Sequence, residues 1–152
     1  MDKLKRKLKR THIMTRLEEV ARAELQQAFS QTELLRQNEW DKKETIKSEI
    51  VSLNNTLLKQ MGPGCSLNPV VYMETTRVIS ELEQQLDDCQ EEINLLDQKL
   101  AELSEQLEQV AAKKKTLQRL SEKLETDKQH LITTMQYKAQ DEFALQSYKG
   151  AD

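Results

Sequence analysis

Apolar residues in the second half of the chain recur at alternating spacings of three and four residues. The series consists of Ile79, Leu82, Leu86, Cys89, Ile93, Leu96, Leu100, Leu103, Leu107 and Val110. An unbroken heptad pattern of this length is typical of a coiled coil, in which these side chains form the seam between two helices. The pattern therefore predicts a long helix that packs against another helix along this stripe.

Beyond Val110 the same stripe becomes half polar. Leu117, Leu124 and Leu131 continue one seam position, and the other position is occupied by Lys114, Ser121 and Lys128. Polar side chains at seam positions reduce the apolar area that the two helices can bury. We therefore expect this end of the coiled coil to pack less tightly.

The first half of the chain has a less regular apolar pattern. Close to its end, a stripe is formed by Ile46, Ile50, Leu53, Leu57 and Met61. Further upstream, a broader face with several alanines is formed by Ile13, Leu17, Val20, Ala21, Leu25, Ala28 and Leu35. Both patterns predict a helix, and we expect these faces to pack against the second helix.

Helix-breaking residues are concentrated in one short segment. Both prolines and two of the three glycines lie between Gly62 and Pro69. Gly62 is predicted to end the first helix, and Asn68 and Pro69 have the residue types of an N-cap and a first helical position. We predict helix one over about 3–61, a turn over 62–69 and helix two over about 70–148. The prediction is a single all-α domain, 1–152, folded as a long antiparallel two-helix coiled-coil hairpin.

The second helix is predicted to be longer than the first. If the turn is centred near residues 65 and 66, facing residues have numbers that sum to about 131. The last ~20 residues then lack a partner helix over roughly 30 Å. Apolar side chains in this overhang are Ile132, Met135, Tyr137, Phe143, Leu145 and Tyr148. We favour a binding surface over a frayed end, because three of the six aromatic residues fall in the last 16 positions.

The charge distribution limits the classes of partner. Charged residues form 32% of the chain, aromatics form 4%, and the net charge of −3 gives no reason to expect nucleic acid. The N-terminal block contains six cations, Lys3, Lys5, Arg6, Lys7, Lys9 and Arg10. Cross-helix pairing with Glu122, Glu125 and Asp127 is the simplest interpretation, and a contact for an acidic protein or an anionic membrane is the alternative.

No arrangement of residues suggests catalysis. The chain has no phosphate-binding glycine loop, and its paired carboxylates are expected on an exposed helix rather than in a cleft. His12 and His130 lack the further ligands that a metal site needs. Cys65 and Cys89 are interpreted as reduced thiols of a cytoplasmic protein. We therefore predict a protein that is not an enzyme and that has no cofactor and no small-molecule substrate.

Two local stretches resemble the FliJ family of flagellar export proteins. The first, MGPGCSLNPVVYMETTRVISELEQQL over 61–86, is similar to that family's turn and the helix opening after it. The second, Lys138-Ala139-Gln140-Asp141-Glu142-Phe143-Ala144, resembles the family's ending, a lysine followed by Asp-Glu-Phe-Ala. The resemblance implies an antiparallel coiled coil similar to the stalk subunit of rotary ATPases.

The resemblance also implies a set of partners. The open end is expected to enter the hexameric ring of a FliI-like export ATPase through Lys5, Arg6, Lys9, Arg10, Met135, Phe143 and Leu145. The closed end is expected to contact the cytoplasmic domain of a FlhA-like export gate through Ile46, Leu53, Val78 and Leu82, and the family also handles export chaperones. Glu49, Gln85 and Cys89 differ from the family's residue types at this end. The expected location is the cytoplasm, at the inner face of the membrane through the export apparatus.

Other functions remain open from the sequence. The stalk of a virulence type III secretion system shares the fold and mechanism, although the Asp-Glu-Phe-Ala ending favours the flagellar one. A structural spacer is the alternative if the segment from Gly62 to Pro69 does not reverse the chain. A peripheral membrane coiled coil held by the basic N-terminus is the third, and it predicts vesicle binding that salt abolishes.

Overall fold

The computed structural model describes residues 1–64, 66 and 68–150. These residues form two helices, α1 over Asp2–Gln60 and α2 over Pro69–Gly150, and the described part contains no strand. The helices pack antiparallel, which confirms the all-α hairpin. The helix ends lie within two residues of the predicted bounds.

The start of α2 has the predicted cap. The Asn68 side-chain oxygen accepts a hydrogen bond of 3.0 Å from the backbone N–H of Val70, and the Asn68 carbonyl accepts one from Tyr72. Pro69 is the first helical residue, where its missing N–H costs nothing. Two adjacent residues are therefore sufficient to start this helix.

The end of α1 differs from its predicted form. The helix ends at Gln60, and the Gly62 N–H reaches only the Lys59 carbonyl, at 3.4 Å. The residue with positive φ is Gly64, at 84°, rather than Gly62. Glycine is needed at position 64 because other residues rarely adopt this backbone conformation. Cys65, predicted to be a reduced thiol, lies outside the described residues.

The predicted stripe of α2 faces α1. All ten seam residues from Ile79 to Val110 are buried or half-buried, and Cys89 and Ile93 are only 3% and 2% exposed. The half-polar continuation is also covered, since Leu124 is buried and Leu117, Lys114 and Ser121 are half-buried. Heptad spacing in α2 therefore identifies its inner face correctly.

The inner face of α1 agrees with the prediction near the turn and only in part upstream. The downstream residues Ile46, Ile50, Leu53 and Leu57 are buried or half-buried. Upstream, Ala21, Leu25 and Ala28 are half-buried, whereas Ile13, Leu17, Val20 and Leu35 are 50%, 64%, 56% and 52% exposed. Met61, placed on the downstream stripe, is also exposed because it follows the helix end. The covered positions of α1 follow two seven-residue series. The first is Leu4, Thr11, Glu18, Leu25, Thr32, Glu39, Ile46, Leu53 and Gln60; the second includes Leu8, Thr15, Phe29, Arg36, Lys43, Ile50 and Leu57.

Threonines in this seam remain satisfied although they are buried. Thr11 and Thr32 are 3% and 2% exposed, and their hydroxyls donate 2.8 Å hydrogen bonds to the carbonyls of Lys7 and Ala28. Thr15 bonds the Thr11 carbonyl in the same way. Because each hydroxyl is satisfied within its own helix, threonine costs little at these covered positions.

Close contacts group the described residues into two compact units. One unit contains residues 1–25 and 106–150, and the other contains 26–105. In the first unit, His12 faces Ser121 and Glu19 faces Lys114. In the second unit, Arg36 faces Asp97 and Lys43 faces Gln90. The residue numbers of each pair sum to 133, so the register in each unit is shifted by two from the predicted 131.

Candidate protein-binding surfaces

The distal segment of α2, residues 133–150, has no helix against it. Every residue in it is exposed, and the register places Met1 opposite Ile132. Ile132 itself is half-buried and therefore belongs to the paired region. The predicted overhang is present in this unit over 18 residues, or about 27 Å.

Apolar side chains of the distal segment point away from any other part of its unit. Met135, Tyr137, Phe143, Leu145 and Tyr148 are 54%, 64%, 70%, 61% and 76% exposed. Helical periodicity places Met135 and Phe143 on the continuation of the Leu131 and Ile132 face, and Tyr137 and Tyr148 on the opposite side. Several large exposed apolar side chains on one short helical segment are typical of a binding surface.

The basic block of residues 3–10 is not neutralised by α2. None of its six cations forms an ion pair with a carboxylate in the described part of the chain. The shifted register brings Lys5 opposite Lys128 and Arg10 opposite Lys123, so the predicted acidic partners are displaced along α2. The positive charge of Lys5, Arg6, Lys9 and Arg10 is therefore available to a partner.

A shallow groove of about 390 Å³ lies beside this block, between the two helices of the first unit. It is lined by Lys5, Leu8, Lys9, His12, Ile13, Arg16, Glu125 and Lys128. Four permanent cations face a single carboxylate there, so the groove favours anionic groups.

The four residues predicted to contact an export gate lie in the helix interface. Ile46 is 5% exposed, and Leu53, Val78 and Leu82 are half-buried. Ile46, Leu53 and Leu82 lie on the seam stripes of α1 and α2, and Val78 adjoins Ile79 at the start of the α2 seam. The burial of Ile46 agrees with its predicted place on the downstream stripe of α1, and a partner can reach it only if the helices separate.

A different apolar surface is exposed near the turn. Leu58, Met61, Val70 and Met73 are 68%, 58%, 74% and 71% exposed, and Tyr72 is 37% exposed. Lys59 and Glu74 are the only charged residues over 54–76, in a chain that is 32% charged. Depletion of charge with exposed Met and Tyr is the composition of an interface centre. The sequence signal for this surface is the apolar and uncharged run across the turn, which heptad spacing alone does not detect.

Polar side chains cross the seam in the second unit. Arg36 forms an ion pair with Asp97, the Lys43 ammonium donates to the Gln90 side chain, and Lys43 lies 4.8 Å from the centre of the Trp40 ring. The pKa of the Cys89 thiol is raised, mainly by burial and secondly by the adjacent Glu39 carboxylate. The Arg36–Asp97 pair is exposed to solvent, so it favours the observed register by ~1 kcal/mol or less.

No group of three or more metal-ligating side chains occurs in the described ranges. His12 lies near Ser121, at 3.3 Å, and His130 lines a separate groove with Met1, Lys3 and Asp127. Neither described helix contains a window that is apolar enough and long enough to cross a membrane.

Comparison with known proteins gives no neighbour for this chain. No family model, no curated protein and no solved structure matches it. The class defined by the structure is therefore an all-α two-helix hairpin, and its function has to be inferred from the exposed surfaces.

Proposed function

We propose that this chain is a non-enzymatic stalk of the flagellar type III export apparatus, which links an export ATPase ring to the export gate and escorts export chaperones. The observation that carries the proposal is the distal segment of α2, with five large apolar side chains exposed over 133–150. A ring that surrounds this segment would cover those side chains and would supply the burial that the hairpin lacks.

Two features at the same end support an ATPase contact. The basic block of residues 3–10 lies in the same unit as the distal segment and has no ion-pair partner in the described residues. The Lys138–Ala144 stretch, which resembles the FliJ ending, lies within the distal segment, where Phe143 is 70% exposed. The proposed ring contact therefore combines Met135, Phe143 and Leu145 with the cations of the block.

The proposed gate contact moves to the exposed surface near the turn. Leu58, Met61, Val70 and Met73 offer apolar surface without separating the helices. Ile46, Leu53, Val78 and Leu82, which are buried or half-buried, are not part of this exposed surface. A FlhA-like cytoplasmic domain is the proposed partner, and the gate would hold this cytoplasmic protein at the inner face of the membrane.

The test is binding to a purified hexameric flagellar export ATPase. We expect deletion of residues 138–152 to weaken binding at least tenfold, and the triple change Met135→Ser, Phe143→Ser, Leu145→Ser to do the same, since each removes apolar anchors. The measurement is a titration by fluorescence anisotropy with the label on Cys65 in a Cys89→Ala background.

The matched control alters exposed polar residues of the same segment, Gln136→Ala, Gln140→Ala and Gln146→Ala. We expect this variant to bind as the wild type does. Unchanged affinity after the deletion would remove the case for the distal segment. No binding by any form, where a known stalk binds, would favour the structural spacer.

The spacer has one observation in its favour. The outer face of α1 exposes Ile13, Leu17 and Val20, and a second hairpin packed on that face would bury them. The spacer function would be supported by a stable dimer at micromolar concentration, together with no binding of the distal segment to the ATPase. The virulence stalk remains an alternative of the same mechanism, and competition between the two types of ATPase would separate them.

A further inference from the structure

The outer side of α1 in the first unit carries cations and aliphatic side chains along one line. Arg6, Lys9, Arg10, Ile13, Leu17 and Val20 follow the spacing of three and four residues that keeps side chains on one helical face. This set is called the outer strip of α1. Ile13, Leu17 and Val20 are 50%, 64% and 56% exposed, and the adjoining Met14 is 53% exposed.

The charge on the outer strip is not compensated. Residues 3–17 contain no Asp or Glu, and Arg16 adds a further exposed cation beside the strip. The first two acids downstream are engaged elsewhere, because Glu18 is half-buried on the seam side and Glu19 lies 3.6 Å from Lys114. The strip is therefore amphipathic and strongly positive.

We propose that the outer strip of α1 binds the surface of an anionic membrane, a function beyond the proposed ATPase and gate contacts. Arg6, Lys9 and Arg10 are shared with the proposed ring contact, so membrane and ring would compete for them. The cations would lie among acidic headgroups, and the aliphatic side chains would enter the boundary with the acyl chains. Long Lys and Arg side chains suit this position because their stems are apolar and their heads remain among the headgroups.

Charge favours a membrane over an acidic protein. Each cation near an anionic leaflet contributes about 1 kcal/mol without any shape-matched partner, and the strip with Arg16 supplies four.

Vesicle co-sedimentation of the full chain tests the proposal. We expect binding to vesicles with 30% phosphatidylglycerol at low salt, little binding to phosphatidylcholine vesicles, and a steep loss between low and high salt. Neutralising three cations, Arg6→Gln, Lys9→Gln and Arg10→Gln, should weaken binding on the order of 100-fold. Replacing Ile13, Leu17 and Val20 with Gln should weaken it about tenfold while the melting temperature is unchanged.

The control neutralises three exposed cations of α2 in the same unit, Lys113→Gln, Lys115→Gln and Arg119→Gln. We expect at most a threefold loss. An equal loss in this control, or no loss in the aliphatic variant, would overturn the strip as the site. Absence of binding by the wild type would overturn the proposal.

The two proposals can fail separately. Deletion of residues 138–152 leaves the outer strip intact, so vesicle binding should persist when ATPase binding is lost. Loss of vesicle binding in that deletion would place the lipid contact on the distal segment and contradict the strip.

Discussion

At the scale of single residues, threonine shows how a polar side chain can occupy the covered side of α1. Thr11 and Thr32 are nearly fully buried, and Ile13 and Leu17 are at least half exposed. Each buried hydroxyl is satisfied by a carbonyl four residues earlier in its own helix, so the methyl group can pack at the seam. Hydrophobicity alone would predict that Ile13 and Leu17 are covered and that Thr11 and Thr32 are exposed, because it counts each hydroxyl as a polar group without a hydrogen-bond partner.

Cys89 is the second residue whose surroundings matter. Its side chain is 3% exposed, and burial, the Glu39 carboxylate and Asp88 raise the pKa of its thiol, with a smaller opposing effect from Lys42. In the folded state the thiol therefore keeps its proton at a pH where the unfolded chain loses it. The contribution of the protonated Cys89 thiol to folding stability is complete below the ordinary thiol pKa, and it is lost as the pH rises through the raised pKa of the folded state.

We predict that native Cys89 resists alkylation by iodoacetamide at pH 8. In a Cys65→Ser background, the rate should fall at least 100-fold below that of the chain unfolded in urea, because the reactive thiolate is both rare and covered. Stability should also decrease with pH above about 9, and Cys89→Ala should lack this decrease. Equal native and unfolded alkylation rates would contradict the burial of Cys89.

At the scale of elements, α1 and α2 specify their inner faces unequally. The α2 seam is apolar or cysteine at every position from Ile79 to Val110, whereas the covered face of α1 includes Glu18, Glu39, Arg36 and Lys43. Long charged side chains can occupy such positions because their stems pack and their heads reach solvent at the edge. The apolar face of α2 therefore selects which side of α1 is covered.

A pair of substitutions in α1 separates its two faces. We predict that Leu8→Gln lowers the free energy of unfolding by about 2–3 kcal/mol, because Leu8 is 5% exposed. Leu17→Gln, at a residue 64% exposed, should change it by less than about 0.5 kcal/mol. Thermal denaturation followed by circular dichroism is the measurement. A larger loss of stability in Leu17→Gln than in Leu8→Gln would show that the covered face is the one expected from hydrophobicity.

A second pair tests the seam of α2. Leu103→Asp puts a carboxylate at a position 9% exposed and is predicted to cost ~3 kcal/mol or more, enough to unfold much of a marginally stable hairpin. Leu95→Asp is the control, since Leu95 is 59% exposed on the outer side of the same helix. Normal helicity and melting temperature in Leu103→Asp would contradict the seam assignment.

At the scale of the whole molecule, the chain reversal is the feature on which both proposals rest. Asn68 and Pro69 start α2 immediately after the turn, and four side-chain pairs define the antiparallel register in the two units. A parallel two-chain coiled coil would bring none of these pairs together.

Cross-linking distinguishes the hairpin from a parallel dimer. We predict that a short bismaleimide joins His12→Cys to Ser121→Cys within one chain, in a background of Cys65→Ser and Cys89→Ala. His12→Cys with Thr134→Cys is the control, since position 134 lies about 20 Å further along α2 in the same unit. A cross-linked two-chain species in place of the intrachain product would show that the segment from Gly62 to Pro69 does not reverse the chain.

Charge at this scale is divided along the sequence. Residues 3–10 carry six cations, all within one unit. Residues 81–108 carry ten acids, and Lys99 is the only basic residue among them. The acidic run lies largely on the exposed side of α2, since its seam positions are apolar or Cys89. A chain with a modest net charge therefore still presents a strongly positive surface, on which the membrane proposal depends.

The sequence by itself determined the two helices, the cap at Asn68, the seam of α2 and the unpaired distal segment. These features follow from local chemistry and from a heptad pattern that needs no knowledge of the partner. Only the tertiary structure decided which face is covered in the N-terminal half of α1, the register of 133 and the exposed apolar surface near the turn. The physical reason is that α1 has apolar residues on more than one side, so its inner face is selected by the continuous apolar stripe of α2 rather than by its own pattern.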